Sequence, residues 1–452
     1  MTRDPSSDVL LVEPPNDRRL DNRPGFGMPL GVGYVAAWIR RRGIGCVLDD
    51  LNRLDAGPAW LARRVRALRP RVIGISCSPW NEGAWPALFA AARAAAPESV
   101  LVAGGLSVRY DAAAFLRRFP ALDAAAEGEG EPTFEALARA ALAADGRRDA
   151  LRRIAGVAGL AVRRGRAVAA APARPPVMDA DAFPSPIVEG VFRPRDYPGI
   201  AKLIAARGCP FRCAYCQWGS PRLPYRVRSV GRVVEELRAL HRDGVREIAF
   251  GDGTFNLSTR RLRAFRDAFR REGFAFRLYD VDCRARYFDG VQARLLRDMG
   301  AVDVGFGLET IHPRTQALIR KRQDPRDVAR AARCARRRGL RVHVSVMIGL
   351  PGETEDDIAR TLDFLEDLAP DFAGIFPVRC QAGTEFAASP GRYPPSVPPR
   401  RVREIADRAR RRFRTVGADP RLYERRRILA ETVFPHAGDP SAAFSKRKEA
   451  FR

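Results

Sequence analysis

The chain has 452 residues, 46% of them hydrophobic and 29% charged, and a formal net charge of +26 at pH 7. Its length predicts two or three domains, and its composition excludes an intrinsically disordered protein. No apolar run is long enough to cross a membrane or to form a signal peptide, so a cytoplasmic enzyme is expected. All but four of the 79 basic residues are arginines, spread along helix faces. This spread makes nucleic-acid binding the less favoured explanation of the charge.

The N-terminal third alternates short apolar runs with helical patterns. Strands are predicted at 9–15, 44–50, 72–78, 99–105 and within 122–132, and helices at 31–43, 60–70, 84–97, 111–118 and 133–142. Five such strand–helix units predict an α/β domain over residues 1–145, built on a doubly wound, Rossmann-like parallel sheet. Ligands of these sheets bind beyond the carboxyl ends of the strands, where this chain has short, glycine-rich loops.

Residues 146–199 differ from the segments on either side. A hairpin is predicted at 159–171 around an Arg-Arg-Gly turn. The proline-rich stretch after it is predicted to be an extended linker, because the residue before a proline resists helix. The sequence therefore predicts a connection between two domains here.

Three of the eight cysteines, Cys209, Cys213 and Cys216, follow a predicted strand at 200–209. An odd number of clustered thiols disfavours disulfides. No further Cys or His lies within twenty residues of them to complete a tetrahedral zinc site. Three thiolates on one loop suit three corners of a 4Fe-4S cluster and leave its fourth iron open to a small molecule.

The spacing Cys-x3-Cys-x2-Cys, with Tyr215 before the last cysteine, resembles the signature of radical S-adenosylmethionine (radical SAM) enzymes. The resemblance implies that the three cysteines are catalytic as ligands of the 4Fe-4S cluster. It also implies that the open iron binds S-adenosylmethionine and that a flavodoxin- or ferredoxin-type donor supplies electrons. The contacts to S-adenosylmethionine that it implies are Tyr215, Gly251, Asp252, Gly253, Glu309, Ile348 and Gly349.

The remaining elements predict the domain that carries this loop. Strands at 246–256, 275–286, 301–310, 341–354 and 372–386 predict a partial (β/α)6 TIM-type barrel over residues 200–390. Residues 391–452 are predicted to be a helical C-terminal extension. His343 lies within one of the strand patterns and is predicted to be a core or wall residue, with a substrate-facing role as the alternative.

The N-terminal segments "PLGVGYVAAWIRRRG", "VAGGLS" and "EGEGEPTFEAL" resemble the cobalamin-binding domain found upstream of many radical SAM enzymes. The resemblance implies bound cobalamin, as methylcobalamin during turnover, although no Asp-x-His-x-x-Gly motif follows the first strand. All four histidines lie beyond this domain, so another group or water would face the lower side of cobalt. The implied contacts are Pro29, Leu30, Gly31, Ser76, Cys77, Ser78, Gly104, Gly105, Glu127 and Gly128.

Both resemblances together imply a cobalamin-dependent radical SAM methyltransferase. It would methylate an unactivated carbon, or phosphorus, of a small-molecule or peptide precursor, for example in secondary metabolism. Two alternatives remain open at this point: a cobalamin radical SAM cyclase or ring-rearranging enzyme without methyl transfer, and a nucleic-acid-modifying radical SAM protein. A further possibility is that the N-terminal domain no longer binds cobalamin and only shapes the site.

Overall fold

The computed structural model describes residues 8–16, 28–197, 199–220 and 223–413. The chain divides into two compact units, Met1–Ala201 with Glu235–Gly244, and Lys202–Val234 with Val245–Arg452. No helix in the described ranges is both long and apolar enough to cross a membrane. The predicted α/β class is confirmed in each unit.

The first unit is built on a seven-stranded sheet in the order β2-β1-β3-β4-β5-β6-β7. The strands are β1 (Val9–Glu13), β2 (Val47–Asp50), β3 (Val72–Ser76), β4 (Val100–Gly104), β5 (Ala124–Ala126), β6 (Leu160–Arg164) and β7 (Ala167–Ala170). Pairings among the first five are parallel, and β5, β6 and β7 pair antiparallel. The predicted hairpin therefore extends the edge of this sheet.

Six helices cover the sheet: α1 (Leu30–Arg41), α2 (Pro58–Leu68), α3 (Trp85–Ala95), α4 (Ala112–Arg118), α5 (Gly130–Leu142) and α6 (Gly146–Ile154). α1 packs against α5, and α2 packs against α3. All five residues of β1 are buried, as expected for a strand covered on both faces. The sequence did not predict α6, because Ala150 and Ile154 are its only two buried residues among four arginines.

The second unit contains the remaining strands: β8 (Ala201–Leu203), β9 (Ala206–Arg207), β10 (Arg226–Val227), β11 (Glu247–Phe250), β12 (Arg277–Tyr279), β13 (Val281–Cys283), β14 (Asp303–Glu309), β15 (Arg341–Ile348) and β16 (Phe372–Pro377). Two sheets, β12-β11-β8 and β13-β14-β15-β16, are joined by Asp280, which separates β12 from β13 and has a φ of 57°. With β12 and β13 taken as one interrupted strand, six strands form the predicted partial barrel.

The helices that follow are α7 (Val230–Arg242), α8 (Thr259–Glu272), α9 (Gly290–Asp298), α10 (Pro313–Leu318), α11 (Pro325–Arg336), α12 (Glu355–Leu368), α13 (Glu385–Ala388) and α14 (Pro399–Phe413). Helix α8 has a capping residue at each end. The Ser258 hydroxyl accepts from the Arg261 amide at the start of α8, and Gly273 with a φ of 65° ends that helix. α14 packs on β16 and β15, and the predicted extension beyond residue 413 lies outside the described residues.

Candidate functional site

The cysteine loop leaves the barrel directly after β9. A Cβ on Gly208, whose φ is 74°, would lie 2.7 Å from the carbonyl oxygens of Leu223 and Pro224, so this turn requires glycine. Within the loop, the Cys216 amide donates to the Cys213 carbonyl at 3.0 Å. The Ala214 amide donates to the Ile319 carbonyl at 2.9 Å, which ties the loop to the end of α10.

The three thiols lie close enough to influence one another. Cys209, Cys213 and Cys216 are free and half-buried. Burial, together with the nearby thiols, raises the pKa of Cys216 to about 12 and also raises the pKa of Cys209. Ionising Cys209 and Cys216 therefore requires a compensating positive charge. An iron–sulfur cluster provides such a charge, so this donor set fits a three-thiolate cluster.

The loop after β11 packs directly on the first cysteine. A Cβ on Gly253 would lie 3.2 Å from the Cβ of Cys209, so a larger residue would displace that thiol. The neighbouring Asp252 is 4% exposed, and its carboxylate accepts from the Ala205 amide at 3.0 Å. Burial raises the pKa of Asp252 to about 7. Asp252 thus fixes the backbone just before β9, the strand that leads into the cysteine loop.

A group of three polar side chains, a buried glutamate and a half-buried tyrosine and lysine, lies beside the cysteines. The Tyr215 hydroxyl donates to Glu309 Oε1 at 3.0 Å, and Lys321 Nζ donates to the same oxygen at 2.8 Å. Lys321 Nζ also lies 3.2 Å from the Tyr215 hydroxyl. The structure therefore brings the two predicted residues Tyr215 and Glu309 into direct contact, and a lysine that the sequence analysis did not single out contacts both.

Backbone irregularity makes this arrangement possible. β14 has a register shift against β15 between Gly307 and Glu309, and Glu309 has a φ of 66°. A Cβ on Gly307 would lie 2.5 Å from Glu309 Oε1 and 2.6 Å from Lys321 Nζ. The bulge and the glycine together turn the carboxylate towards the lysine.

Neighbouring charges shift the pKa values of Lys321 and Tyr215. Burial opposes the charged form of Lys321, but Glu309 and Cys213 outweigh it and raise the pKa of the ammonium. Burial and the Glu309 charge raise the pKa of Tyr215 well above its ordinary value. Lys321 is therefore a fixed positive charge beside the thiols. One sequence signal could have found it, because Lys321 is one of only four lysines in an arginine-rich chain.

The predicted adenine-binding turn follows β15. Ile348 is fully buried, so its side chain belongs to the core. Gly349 has a φ of 83°, and a Cβ there would lie 2.5 Å from a methyl carbon of Val402 in α14. This turn therefore packs against α14, and its side chains lie in the core. Gly251 begins the loop that holds Asp252, with its amide bonded to the Leu203 carbonyl at 2.8 Å.

His343 lies on β15, as a half-buried residue of the sheet wall, in agreement with the sequence analysis. Burial lowers the pKa of its imidazole to about 4.

The predicted cobalamin contacts gather at the carboxyl edge of the sheet in the first unit. Gly31, Gly105 and Gly128 are exposed there, which leaves a surface without side chains next to the half-buried Pro29, Leu30, Ser76, Gly104 and Glu127. Gly105 has a φ of 103°, and a Cβ on it would lie 2.6 Å from the Cys77 carbonyl oxygen. Such a surface fits a large flat ligand that approaches the backbone closely.

Two of the predicted cobalamin contacts, Cys77 and Ser78, have buried side chains that do not line this surface. The Cys77 side chain is fully buried, with its sulfur 3.7 Å from the Ile75 carbonyl oxygen, and Ser78 is 5% exposed. Beneath them, Glu13 at the end of β1 accepts from Asn81 Nδ2 at 3.2 Å. Burial raises the pKa of Glu13 to about 8, so this carboxyl group is largely protonated at neutral pH.

Two family models match the chain. The model of the radical SAM superfamily matches residues 203–365, and that of the B12 binding domain matches residues 19–138. The first match contains the three cysteines, Glu309 and Lys321, and the second contains every predicted cobalamin contact.

Individual proteins are similar over most of the chain. An uncharacterized methyltransferase, PH0819, of Pyrococcus horikoshii is 29% identical over 379 residues, which cover 81% of this chain and 79% of that protein. An anaerobic magnesium-protoporphyrin IX monomethyl ester cyclase of Rubrivivax gelatinosus is 25% identical over 380 residues, 81% of this chain and 66% of the cyclase. The structure of the radical S-adenosylmethionine methyltransferase TsrM from Kitasatospora setae, with cobalamin and a 4Fe-4S cluster bound, superposes with a TM-score of 0.68. That match is 21% identical and covers 83% of this chain and 76% of TsrM, so it shows a common fold.

Proposed function

We propose that this chain, which belongs to the radical SAM enzymes that carry a B12-binding domain, is a cobalamin-dependent methyltransferase. Its substrate is an unactivated carbon, or phosphorus, of a small-molecule or peptide precursor. The observation that carries the proposal is that three half-buried thiols lie beside the hydrogen-bonded Tyr215–Glu309–Lys321 group, in a chain whose other unit matches a B12 binding domain. Methyltransferase names among its relatives, such as PH0819, support methyl transfer.

Cys209, Cys213 and Cys216 would hold the 4Fe-4S cluster. When bound, the cluster and S-adenosylmethionine supply a substrate-activating radical, and cobalamin supplies the methyl group. Gly253 keeps Cys209 in position, because any side chain there would press on its Cβ. Lys321 offsets the charge of the thiolates, which favours their ionised, metal-binding form.

Glu309 and Tyr215 would orient the methionine end of S-adenosylmethionine. The Glu309 carboxylate is 7% exposed and held by two donors, so its position is fixed before a ligand arrives. A fixed carboxylate beside the cysteines can accept a hydrogen bond from an ammonium group. The backbone of Gly251, Asp252, Gly253, Ile348 and Gly349 would supply further contacts.

In the first unit, the exposed edge formed by Gly31, Gly105 and Gly128 would receive the corrin ring, together with the other seven predicted contacts. Because Cys77 and Ser78 are buried, they would contribute through their backbone. We assign cobalamin binding to residues 1–145, the hairpin and linker to 146–199, the radical SAM barrel to 200–390 and the extension to 391–452. An external flavodoxin- or ferredoxin-type protein would deliver the electrons.

Product analysis of the full chain tests this function. The protein, reconstituted with iron, sulfide and cobalamin, is incubated with S-adenosylmethionine and a reductant. S-adenosylhomocysteine is expected to form only when cobalamin is present. Cys213→Ser should abolish 5′-deoxyadenosine formation, whereas Cys380→Ser, at an exposed cysteine outside the loop, should not. Formation of 5′-deoxyadenosine without any S-adenosylhomocysteine would contradict methyl transfer and favour a cyclase or rearrangement.

A further inference from the structure

A second group of ligand-type side chains lies on the barrel sheet, apart from the cysteine loop. In the register of β13, β14 and β15, Asp282 pairs with Gly305 and Gly305 pairs with His343, so the three form one row across the sheet. The residues on either side of this row along each strand are buried, including Val281, Cys283, Val304, Phe306, Val342 and Val344. Since side chains alternate between faces, Asp282 and His343 share the opposite face, towards the barrel interior.

Asp280 joins this row from the break between β12 and β13. One ligand atom each from Asp280, Asp282 and His343 lies within 4.8 Å of the others. Gly305 allows this approach, because a Cβ on it would collide with Asp282 Oδ1 and lie 3.4 Å from His343 Nδ1. The Asp280 amide donates to Asp303 Oδ1 at 2.8 Å, which fixes the backbone conformation at the break.

The imidazole of His343 is held so that one nitrogen faces the two carboxylates. Nε2 lies 3.2 Å from the Ser345 hydroxyl, and Gly374 leaves room for both, since a Cβ there would lie 2.9 Å from Nε2. Nδ1 is buried and has no hydrogen-bond partner. In the tautomer that carries its proton on Nε2, the ring donates to Ser345 and presents the Nδ1 lone pair to Asp280 and Asp282. This is the arrangement in which a second neighbour orients a metal-binding histidine.

We propose that Asp280, Asp282 and His343 bind a divalent first-row cation such as Mn²⁺, Fe²⁺ or Zn²⁺. Two carboxylate oxygens and one imidazole nitrogen are donors that these ions accept, and no thiol takes part. Asp282 is exposed, whereas Asp280 and His343 are half-buried, so the ion would be open on the side of Asp282. An oxygen of the substrate could bind at an open position there.

Lys202 is expected to lower the affinity of this site for a cation. Its ammonium lies within electrostatic range of both Asp280 and Asp282 and competes with a cation for their negative charge. Removing this ammonium should therefore strengthen binding of a divalent ion, while removing a ligand should weaken it. Gly305, the β14 member of this row, lies four residues before Glu309 along the strand, a separation on the order of 10 Å. The proposed cation site is therefore separate from the residues proposed to contact S-adenosylmethionine, and it does not depend on the proposed methyl transfer.

Mn²⁺ binding to the full chain, measured by electron paramagnetic resonance, tests the proposal. One Mn²⁺ per chain is expected, with nitrogen hyperfine coupling that is lost in His343→Gln. Asp282→Asn and His343→Gln should each weaken binding about tenfold or more. Asp267→Asn, at an exposed aspartate of α8, should leave it unchanged, and Lys202→Met should strengthen it several-fold.

Thermal unfolding of each variant shows whether it folds. If Asp282→Asn fails to fold, Lys202→Met and the nitrogen coupling still decide the question. The proposal is overturned if wild-type protein binds no Mn²⁺ at millimolar concentration. It is equally overturned if Mn²⁺ binds with the same affinity to the folded ligand variants as to wild type.

Discussion

Replacing Lys321 by methionine removes the one cation that contacts Glu309 among the described ion pairs. The side chains of Lys321 and Glu309 are 11% and 9% exposed, with 2.8 Å between Nζ and Oε1. Breaking a buried pair by removing one partner costs about 3–5 kcal/mol, because the other charge is left uncompensated. The Tyr215 hydroxyl still donates to Glu309, so the lower end, about 3 kcal/mol, is expected. For a unit of this size, about 2–4 °C per kcal/mol gives a fall in Tm of roughly 6–12 °C.

A double variant separates lost charge compensation from lost packing. In Lys321→Met with Glu309→Gln no unpaired charge remains, so this protein should be more stable than Lys321→Met alone. Differential scanning calorimetry of the cofactor-free full chain at pH 7 gives the Tm of each variant. The reasoning is refuted if Lys321→Met lowers the Tm by less than about 2 °C, or if the double variant is no more stable than the single one.

Three further predictions concern the loops around the site and the buried edge of the first unit. Gly253→Ala should lower the iron and sulfide content after reconstitution. The control is Gly251→Ala, where the added Cβ would lie 3.6 Å from its nearest neighbour and should not lower the content. Equal iron and sulfide content in the two variants would refute this prediction. Burial raises the pKa of Glu13 from 4.5 to about 8, so its stabilising contribution is present below pH 4.5 and lost as the pH rises through 8. Glu13→Gln should thus become more stable relative to wild type as the pH rises from 5 to 8, by up to a few kcal/mol in the free energy of unfolding, and a pH-independent difference would count against it. Gly349→Ala should cost about 1–3 kcal/mol through its φ of 83° and its collision with Val402, and Val402→Ala should restore part of this loss in urea unfolding.

Sequence patterns were enough to locate most of the longer strands along the chain, although 200–209 and 275–286 each contain two short strands in the structure. Buried parallel strands are continuous apolar runs, and each of the first three predicted strands overlaps the observed one. The predicted ends were too late: 72–78 became Val72–Ser76 and 341–354 became Arg341–Ile348. The residues predicted in excess form the loops at the carboxyl edge of the sheet. Because they are apolar or small, their sequence resembles that of a strand, although they lie beyond the last paired residues of the sheet.

Contacts that depend on register could not be read from the sequence. Lys321 reaches Glu309 only because α10 returns the chain to the bulged end of β14. Likewise, Asp282 and His343 are 61 positions apart, and only the parallel register across Gly305 places them in one row. Local spacing predicted the cysteine loop because all three thiols belong to one short segment.

The most direct test of the central claim follows the methyl group. The full chain, carrying one equivalent of cobalamin and a reconstituted cluster, is incubated under reducing conditions with S-adenosylmethionine bearing a trideuterated methyl group. Mass spectrometry of the extracted cobalamin should show the labelled methyl group, with one S-adenosylhomocysteine formed for each labelled cobalamin. If the bound cobalamin never acquires the label while 5′-deoxyadenosine accumulates, the chain is not a cobalamin-dependent methyltransferase.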